Sequence, residues 1–327
     1  MRIIYLTTRV DCNDYGSGMK FAFLPSPWEA SVADLAAAGH EMVDLADNPD
    51  MVVFRGGPKD FPDTLPESVK VVQIGYAGVE QLLDAGILAK HAATGVRFAN
   101  AAGVYDDTVA ESTLALLLAV SHRHNAVRRE WNQDQLFEET EFLFDNKKLA
   151  LIGAGGIGKK LIEFLAPFGM EVTAVNRSGR AVEGASRTVA MSNTEAMSQV
   201  WAEHEYFVLL APLTPDTKHL VNNDVLAVMP SNAVVVNVGR GGLIDTEALT
   251  EALRNGTIAG AGLDVTDPEP LPADHALWDM DNVVITPHTA NIPRFMERRV
   301  GALAVENWEL FAGGKHMRTE VDVNAGY

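Results

Sequence analysis

The chain has 327 residues, 47% of them hydrophobic and 21% charged, and carries a formal net charge of −18. That length exceeds one typical domain and that composition supports a sizeable core, so two folded domains are expected and a disordered chain is excluded. The excess of acidic groups argues against nucleic acid or an anionic membrane surface as a partner and leaves small molecules or other proteins.

One cysteine, Cys12, permits no intrachain disulfide. It reads as an incidental thiol and fits a reducing cytoplasm. The apolar run at the amino terminus is too short for a signal peptide, and the longest apolar stretch, residues 114–120, is too short to cross a bilayer.

Residues 1–100 read as a small α/β unit. Residues 2–7 form an expected strand. Residues 28–38 form a helix closed by Gly39, a natural C-cap. Residues 41–45 and 51–54 read as strands, the second running into Arg55-Gly-Gly-Pro. Residues 69–74 form a strand that ends in Gly75-Tyr-Ala-Gly78. A helix over 81–90 and a strand over 96–100 come next. Glycine-rich turns after strand ends are where open α/β sheets hold ligands. The longest helical pattern spans 106–122, with Thr108 as the expected N-cap and Glu111 completing a capping box. It is apolar on all sides, so it is expected to be buried, between two domains. Residues 123–146 are polar and irregular, with Trp131 and Phe137 as candidate anchors, and indicate no particular task.

The stretch Lys148-Leu-Ala-Leu-Ile-Gly-Ala-Gly-Gly-Ile-Gly158 organises the second half of the chain. A short apolar strand enters G-x-G-x-x-G at Gly153, Gly155 and Gly158; a helix over 159–168 and a strand over 171–176 come next. This is the strand–turn–helix–strand setting that a dinucleotide fingerprint needs. Gly153 permits the tight turn, Gly155 lets backbone approach a pyrophosphate, and Gly158 lets helix and strand pack closely. The free N–H groups and positive dipole end of the helix favour phosphate. Strands are expected over 149–152, 172–175, 206–210, 233–238, 260–264 and 283–285, with helices over 245–255 and 293–312. The alternation predicts a doubly wound parallel sheet of Rossmann type. The last helix comes after the completed sheet and is expected to pack on residues 1–100, making that domain discontinuous.

Three features sit at strand ends of this second unit. They are Val236-Asn-Val-Gly-Arg-Gly-Gly242, Gly262-Leu-Asp-Val-Thr-Asp-Pro-Glu-Pro270 and Thr286-Pro-His-Thr-Ala290. Arg240 can grip a carboxylate and polarise the neighbouring carbonyl with its planar fork of donors. His288 can pass a proton to an oxygen as hydride reaches carbon. Glu269, hydrogen-bonded to His288, would favour the charged imidazolium. Singly, each residue has a plainer explanation: a solvated arginine, a surface loop, a histidine of no chemical consequence. Successive positions along one sheet edge tell against that.

Gly153 to Gly158, Asn237-Val-Gly-Arg-Gly-Gly-Leu-Ile-Asp245, Asp267-Pro-Glu-Pro270 and Pro287-His288 together resemble the D-isomer-specific 2-hydroxyacid dehydrogenases. These include phosphoglycerate, glycerate, glyoxylate/hydroxypyruvate and formate dehydrogenases or reductases. The likeness covers nearly the whole chain, including Ala77-Gly78 and Val109-Ala-Glu111. It implies a Rossmann cofactor domain over 101–290 and a smaller, discontinuous, flavodoxin-like α/β substrate domain over 1–100 and 291–327. It implies Arg240, Glu269 and His288 as the catalytic triad, and a homodimer built largely through the cofactor domains. For the dinucleotide it points to Gly153, Gly155, Gly156, Ile157 and Gly158. Ala211, Pro212, Thr217, Val238 and Gly239 would line it, with Thr108 nearby and Asp264 near the nicotinamide amide. The substrate carboxylate would lie against backbone N–H groups at 75–78, giving Arg55, Tyr76, Ala77, Gly78 and Arg240 as substrate contacts. No metal is implied.

Two departures from the family pattern bear on cofactor and substrate. NAD-using relatives carry an aspartate at the end of the second cofactor-domain strand, where this chain has Asn176, then Arg177 and Ser178. Loss of that carboxylate removes repulsion of a 2′-phosphate, and Arg177 with Ser178 can bind one, so NADP(H) is favoured over NAD(H). Phosphoglycerate dehydrogenases carry an arginine where Ile74 stands, and no appended regulatory domain is expected after Tyr327. A small unphosphorylated acid such as glyoxylate or hydroxypyruvate is therefore expected. The alternatives are a phosphoglycerate dehydrogenase-type enzyme using NAD and a dinucleotide-sensing, corepressor-like dimer without catalysis; the intact triad opposes the latter.

Overall fold

The computed structural model describes residues 18–127, 133–144 and 146–323. The expected strand over 2–7, Cys12 and Trp131 lie outside them. The chain divides into two compact units, one of residues 1–105 and 292–327, the other of residues 106–291.

In the first unit the described strands are β1 (Lys20–Leu24), β2 (Glu41–Met42), β3 (Met51–Phe54), β4 (Val71–Ile74) and β5 (Arg97–Ala99). They form one parallel sheet in the order β2-β1-β3-β4-β5, the flavodoxin-like arrangement. Every residue of β3 and β4 is buried, as expected of a parallel strand covered on both faces. The long helix Pro293–Ala312 returns to this unit and packs on Glu29–Ala37. The crossing is so close that a Cβ on Gly301 would sit 2.6 Å from the Ser31 carbonyl oxygen.

Several expectations here need correction. Among the described residues the sheet begins at Lys20–Leu24, which is not among the expected strands. The strand expected over 41–45 is only Glu41–Met42, both exposed at the sheet edge, and Leu45–Asp47 forms a 3-10 turn. The helix expected over 81–90 is two short helices, Glu80–Asp84 and Ile87–Ala92, separated by Gly86 at φ +70°.

In the second unit the described strands are β6 (Lys148–Ile152), β7 (Glu171–Asn176), β8 (Arg187–Ala190), β9 (Tyr206–Leu209), β10 (Val234–Asn237), β11 (Gly260–Leu263) and β12 (Val283–Ile285). All are parallel, in the order β12-β11-β10-β9-β6-β7-β8. The chain reverses direction across the sheet at β6 and β9, which makes their carboxyl ends the switch-point crevice. β8 is absent from the expected strands because Val189 alone of its residues is buried; an edge strand carries little apolar signal. Helix Asp106–Ser121 buries Leu116 and Val120 against Gly262 and Gly260 of β11. It starts two residues before the expected cap, so Thr108 lies inside its first turn. Asp106 and Asp107 supply the acidic groups that favour a helix start. Phe137 is no anchor, since it is 74% exposed on the short helix Asp134–Glu139.

Candidate active site

The glycine turn after β6 is shaped by three different constraints. Gly153 has φ +100°, and a Cβ there would lie 2.4 Å from the Ala211 amide nitrogen, where β6 and β9 converge. A Cβ on Gly158 would lie 3.0 Å from Leu151 Cδ2, so glycine lets the helix sit down on β6. A Cβ on Gly155 would meet nothing within 4 Å, so this side of the turn is open. The helix Gly156–Leu165 begins immediately after. The N–H groups of Gly156, Ile157 and Gly158 find no acceptor among the described residues. Open space in front of unpaired, dipole-aligned donors fits a pyrophosphate. One feature opposes an anion: the Asp106 carboxylate lies against Gly156, so close that a Cβ there would be 2.0 Å from it.

At the end of β7, Asn176 folds its own turn. Its Oδ1 accepts from the N–H groups of Ser178 at 3.1 Å and Gly179 at 2.6 Å, and its Nδ2 donates to the Arg180 carbonyl at 2.8 Å. Arg177, Ser178 and Arg180 are exposed around it. Arg180 is not among the expected cofactor contacts, although a second arginine three residues after Arg177 is a visible signal.

Beyond β9, Ala211 is buried and Pro212 exposed. The hydroxyl of buried Thr217 donates to the Pro212 carbonyl at 2.7 Å and receives the Thr214 N–H at 2.8 Å, so it closes this loop on itself. After β10, buried Asn237 shapes the loop that presents Arg240. Its Nδ2 donates to the Arg240 carbonyl at 2.9 Å and its Oδ1 accepts from Gly239 N–H at 3.1 Å. Val238 and Gly239 are buried, whereas Arg240 is half-buried, with Nη1 donating to the Gly239 carbonyl at 2.8 Å.

Asp264, at the end of β11, is 3% exposed. Its carboxylate accepts from Thr286 Oγ1 at 2.6 Å, Thr289 N–H at 2.8 Å and Ala290 N–H at 3.0 Å, and its carbonyl accepts the His288 N–H at 2.8 Å. These bonds secure a turn that needs securing. His288 has φ +52°, a left-handed conformation that costs a residue with a Cβ about 1–2 kcal/mol. The Glu269 loop is fastened too, by Thr246 Oγ1 donating to the Asp267 carbonyl at 2.6 Å. Across the space so framed, His288 Nδ1 and Glu269 Oε1 are 2.6 Å apart. The side chains are 54% and 43% exposed, so the pair contributes little to stability and stands open to solvent and ligand. With Nδ1 engaged, Nε2 is the nitrogen left for a substrate.

In the first unit, Arg55 comes directly after β3. Its Nε donates to the Ser26 carbonyl at 2.8 Å, its Nη2 bonds the Ser26 hydroxyl, and its guanidinium lies 5.3 Å from the Trp28 ring centroid. Tyr76 donates its hydroxyl to the Gly56 carbonyl at 2.8 Å. Burial, helped by Asp60, pushes this phenol up to about 12, so it remains a donor at any ordinary pH. Ser26 and Trp28 carry no signal of this in the sequence, because only the parallel alignment of β1 with β3 brings them to Arg55.

Comparison with known proteins identifies the family. Residues 114–290 match the NAD binding domain model of the D-isomer specific 2-hydroxyacid dehydrogenases. The chain is 50% identical over 312 residues to an uncharacterized protein in the proB 3′ region of Corynebacterium melassecola, covering 94% of this chain and 100% of that one. It is 32% identical over 267 residues to glyoxylate/hydroxypyruvate reductase B of Pectobacterium carotovorum subsp. carotovorum, covering 78% and 80% of the two chains. A D-isomer specific 2-hydroxyacid dehydrogenase from Xanthobacter autotrophicus Py2, solved in complex with NADPH and MES, aligns with a TM-score of 0.76 at 26% identity, over 95% of this chain and 100% of that one. The chain belongs to the D-isomer specific 2-hydroxyacid dehydrogenase family. It is an NAD(P)-dependent oxidoreductase of small 2-hydroxy acids and their 2-oxo counterparts. Among the described residues no helix is long and apolar enough to cross a membrane, and no cluster of side chains could hold a metal ion.

Proposed function

We propose that the protein reduces a small, unphosphorylated 2-oxo acid of the glyoxylate or hydroxypyruvate type, with NADPH preferred over NADH. The observation that carries this reading is the 2.6 Å His288–Glu269 contact at the same sheet edge as Arg240 and the glycine turn. The bound nicotinamide supplies the hydride. Arg240 holds the substrate carboxylate and polarises the adjacent carbonyl. His288 delivers a proton from Nε2 to that carbonyl oxygen, and Glu269, accepting from Nδ1–H, keeps the ring oriented and its charge balanced. One 2-oxo acid, one NADPH and one proton thus give one 2-hydroxy acid and NADP⁺. In the first unit, this reading assigns the backbone N–H groups at 75–78 as contacts for a carboxylate, with Arg55 following the neighbouring strand β3.

The NADPH preference is supported by the absence of a carboxylate at Asn176 and by Arg177, Ser178 and Arg180 around its turn. A small substrate is supported by Ile74, fully buried where an arginine would serve a phosphate. A homodimer is part of this reading, supported by Phe137, Phe142 and Phe144 remaining exposed on the second unit. A cytoplasmic location is also part of it, supported by the single cysteine.

Initial rates with glyoxylate, hydroxypyruvate, pyruvate and 3-phosphohydroxypyruvate, each with NADPH and NADH, test the reading. A higher kcat/KM with NADH refutes the cofactor assignment. A far higher one with the phosphorylated acid refutes the substrate class.

A further inference from the structure

The turn at 75–78 is held from behind at four consecutive carbonyls. Gln73 Nε2 donates to the Ile74 carbonyl at 3.0 Å and the Tyr105 hydroxyl to that of Gly75 at 2.8 Å. The Ala101 N–H donates to the Tyr76 carbonyl at 3.0 Å and Asn100 Nδ2 to that of Ala77 at 2.8 Å. The N–H groups of Tyr76, Ala77 and Gly78, by contrast, meet no acceptor among the described residues. A backbone run with its acceptors engaged and its donors open is a concave site for an anion.

The residues that do the holding are themselves fixed. Asn100 is 8% exposed, its Oδ1 accepts from Ala102 N–H at 3.1 Å, and its carbonyl accepts from Gln73 Nε2 at 2.8 Å and Thr319 Oγ1 at 2.6 Å. Fully buried Asn307, on the helix Pro293–Ala312, donates to Gln73 Oε1 at 2.7 Å and Thr319 Oγ1 at 3.1 Å. The turn is thereby tied to the last helix and the segment after it.

We propose that Asn100 and Tyr105 are positioning residues for the substrate carboxylate: by holding the carbonyls of Ala77 and Gly75, they keep the N–H groups of Tyr76, Ala77 and Gly78 presented to it. This rests on the reading that the turn binds the carboxylate. Neither residue touches the substrate; both act through the backbone. Tyr105→Phe removes one hydroxyl and leaves the ring in place. Asn100→Ser removes the donor to Ala77.

The test measures KM for the preferred 2-oxo acid, kcat, the Kd of oxamate for the enzyme–dinucleotide complex, the Kd of the dinucleotide and Tm. Each variant is expected to raise KM and the oxamate Kd about tenfold, as suits one buried carbonyl left unpaired, with kcat and dinucleotide affinity near wild type. A fall in Tm with KM and oxamate binding unchanged overturns the proposal, because the two residues would then be structural only. Gly78→Pro, which deletes one of the presented N–H groups, separates the turn from its supports. If Gly78→Pro leaves oxamate binding unchanged, the turn does not bind the carboxylate and the underlying reading fails. If it weakens binding while Tyr105→Phe and Asn100→Ser do not, the positioning proposal alone fails.

Discussion

Replacing Gly241 by alanine tests whether the Arg240 loop is set by backbone packing. Gly241 opens the short 3-10 turn directly after Arg240. A Cβ there would lie 1.9 Å from the Thr266 carbonyl oxygen, 2.2 Å from its carbon and 2.8 Å from the Asp267 nitrogen. Atoms in ordinary contact sit about 3.5–4 Å apart, so one of the two loops must retreat by about 1.5 Å. The obstructing atoms are main chain, so no side-chain rotation relieves them. Either movement damages the site, because one loop carries Arg240 and the other leads through Asp267 to Glu269. Misplacement of about 1 Å commonly costs about 100-fold in rate, and overpacking of this kind costs about 1–3 kcal/mol of stability. Gly241→Ala should therefore lower kcat/KM for the 2-oxo acid about 100-fold and reduce Tm. Gly155→Ala is the contrasting variant: its Cβ meets nothing, so Tm should hold while dinucleotide affinity falls. Gly241→Ala with wild-type turnover and Tm would refute this reasoning.

Three further outcomes are expected. His288→Asn should reduce kcat by about 10²–10⁴-fold, the range for a lost general acid, with the dinucleotide Kd by fluorescence titration unchanged; surviving turnover would remove His288 from the chemistry. Asp106→Asn should tighten dinucleotide binding severalfold, most strongly at low salt, because it removes an acid beside Gly156; equal affinity at every ionic strength would show that the carboxylate does not face the phosphates. His204 is 2% exposed and bonded to the Val200 carbonyl and Thr173 hydroxyl, and burial lowers its pKa from 6.5. The unfolded chain therefore binds the proton more readily, and stability should fall as pH drops below about 6.5, levelling off below the folded-state pKa. Tm measured between pH 7.5 and 5 should show a shallower slope for His204→Gln than for the wild type, and identical slopes would exclude His204 as a contributor.

Much of the second unit is legible in the sequence because its information is local. Parallel strands buried on both faces appear as continuous Val, Ile, Leu and Phe runs, as in Tyr206–Leu209 and Val234–Asn237. The glycines at 153, 155 and 158 declare themselves by spacing. Edge strands are less legible: Arg187–Ala190, where Val189 alone is buried, shows no pattern against the loops around it, and the strand expected over 41–45 is reduced to exposed Glu41–Met42. Helix Asp106–Ser121 starts where its pattern does, but the expected cap Thr108 lies inside its first turn, because Thr108 with Glu111 matches a capping box and outweighs the acids just before it.

Composition and spacing by themselves determined that this is a two-part α/β protein with a dinucleotide turn and an Arg, a Glu and a His on successive strand ends. Those features depend on residues near one another in sequence, where hydrophobic period and glycine spacing act. Only the tertiary structure decided what those residues touch. It brought Glu269 to 2.6 Å from His288 across 19 positions. It committed the Asp264 carboxylate to the His288 turn, set Asp106 against Gly156, and joined Asn307 to Gln73 across 234 positions, behind the turn at 75–78. Such contacts are selected by which strands lie side by side and by the need of buried polar groups for partners, and neither is written in any short stretch of the chain.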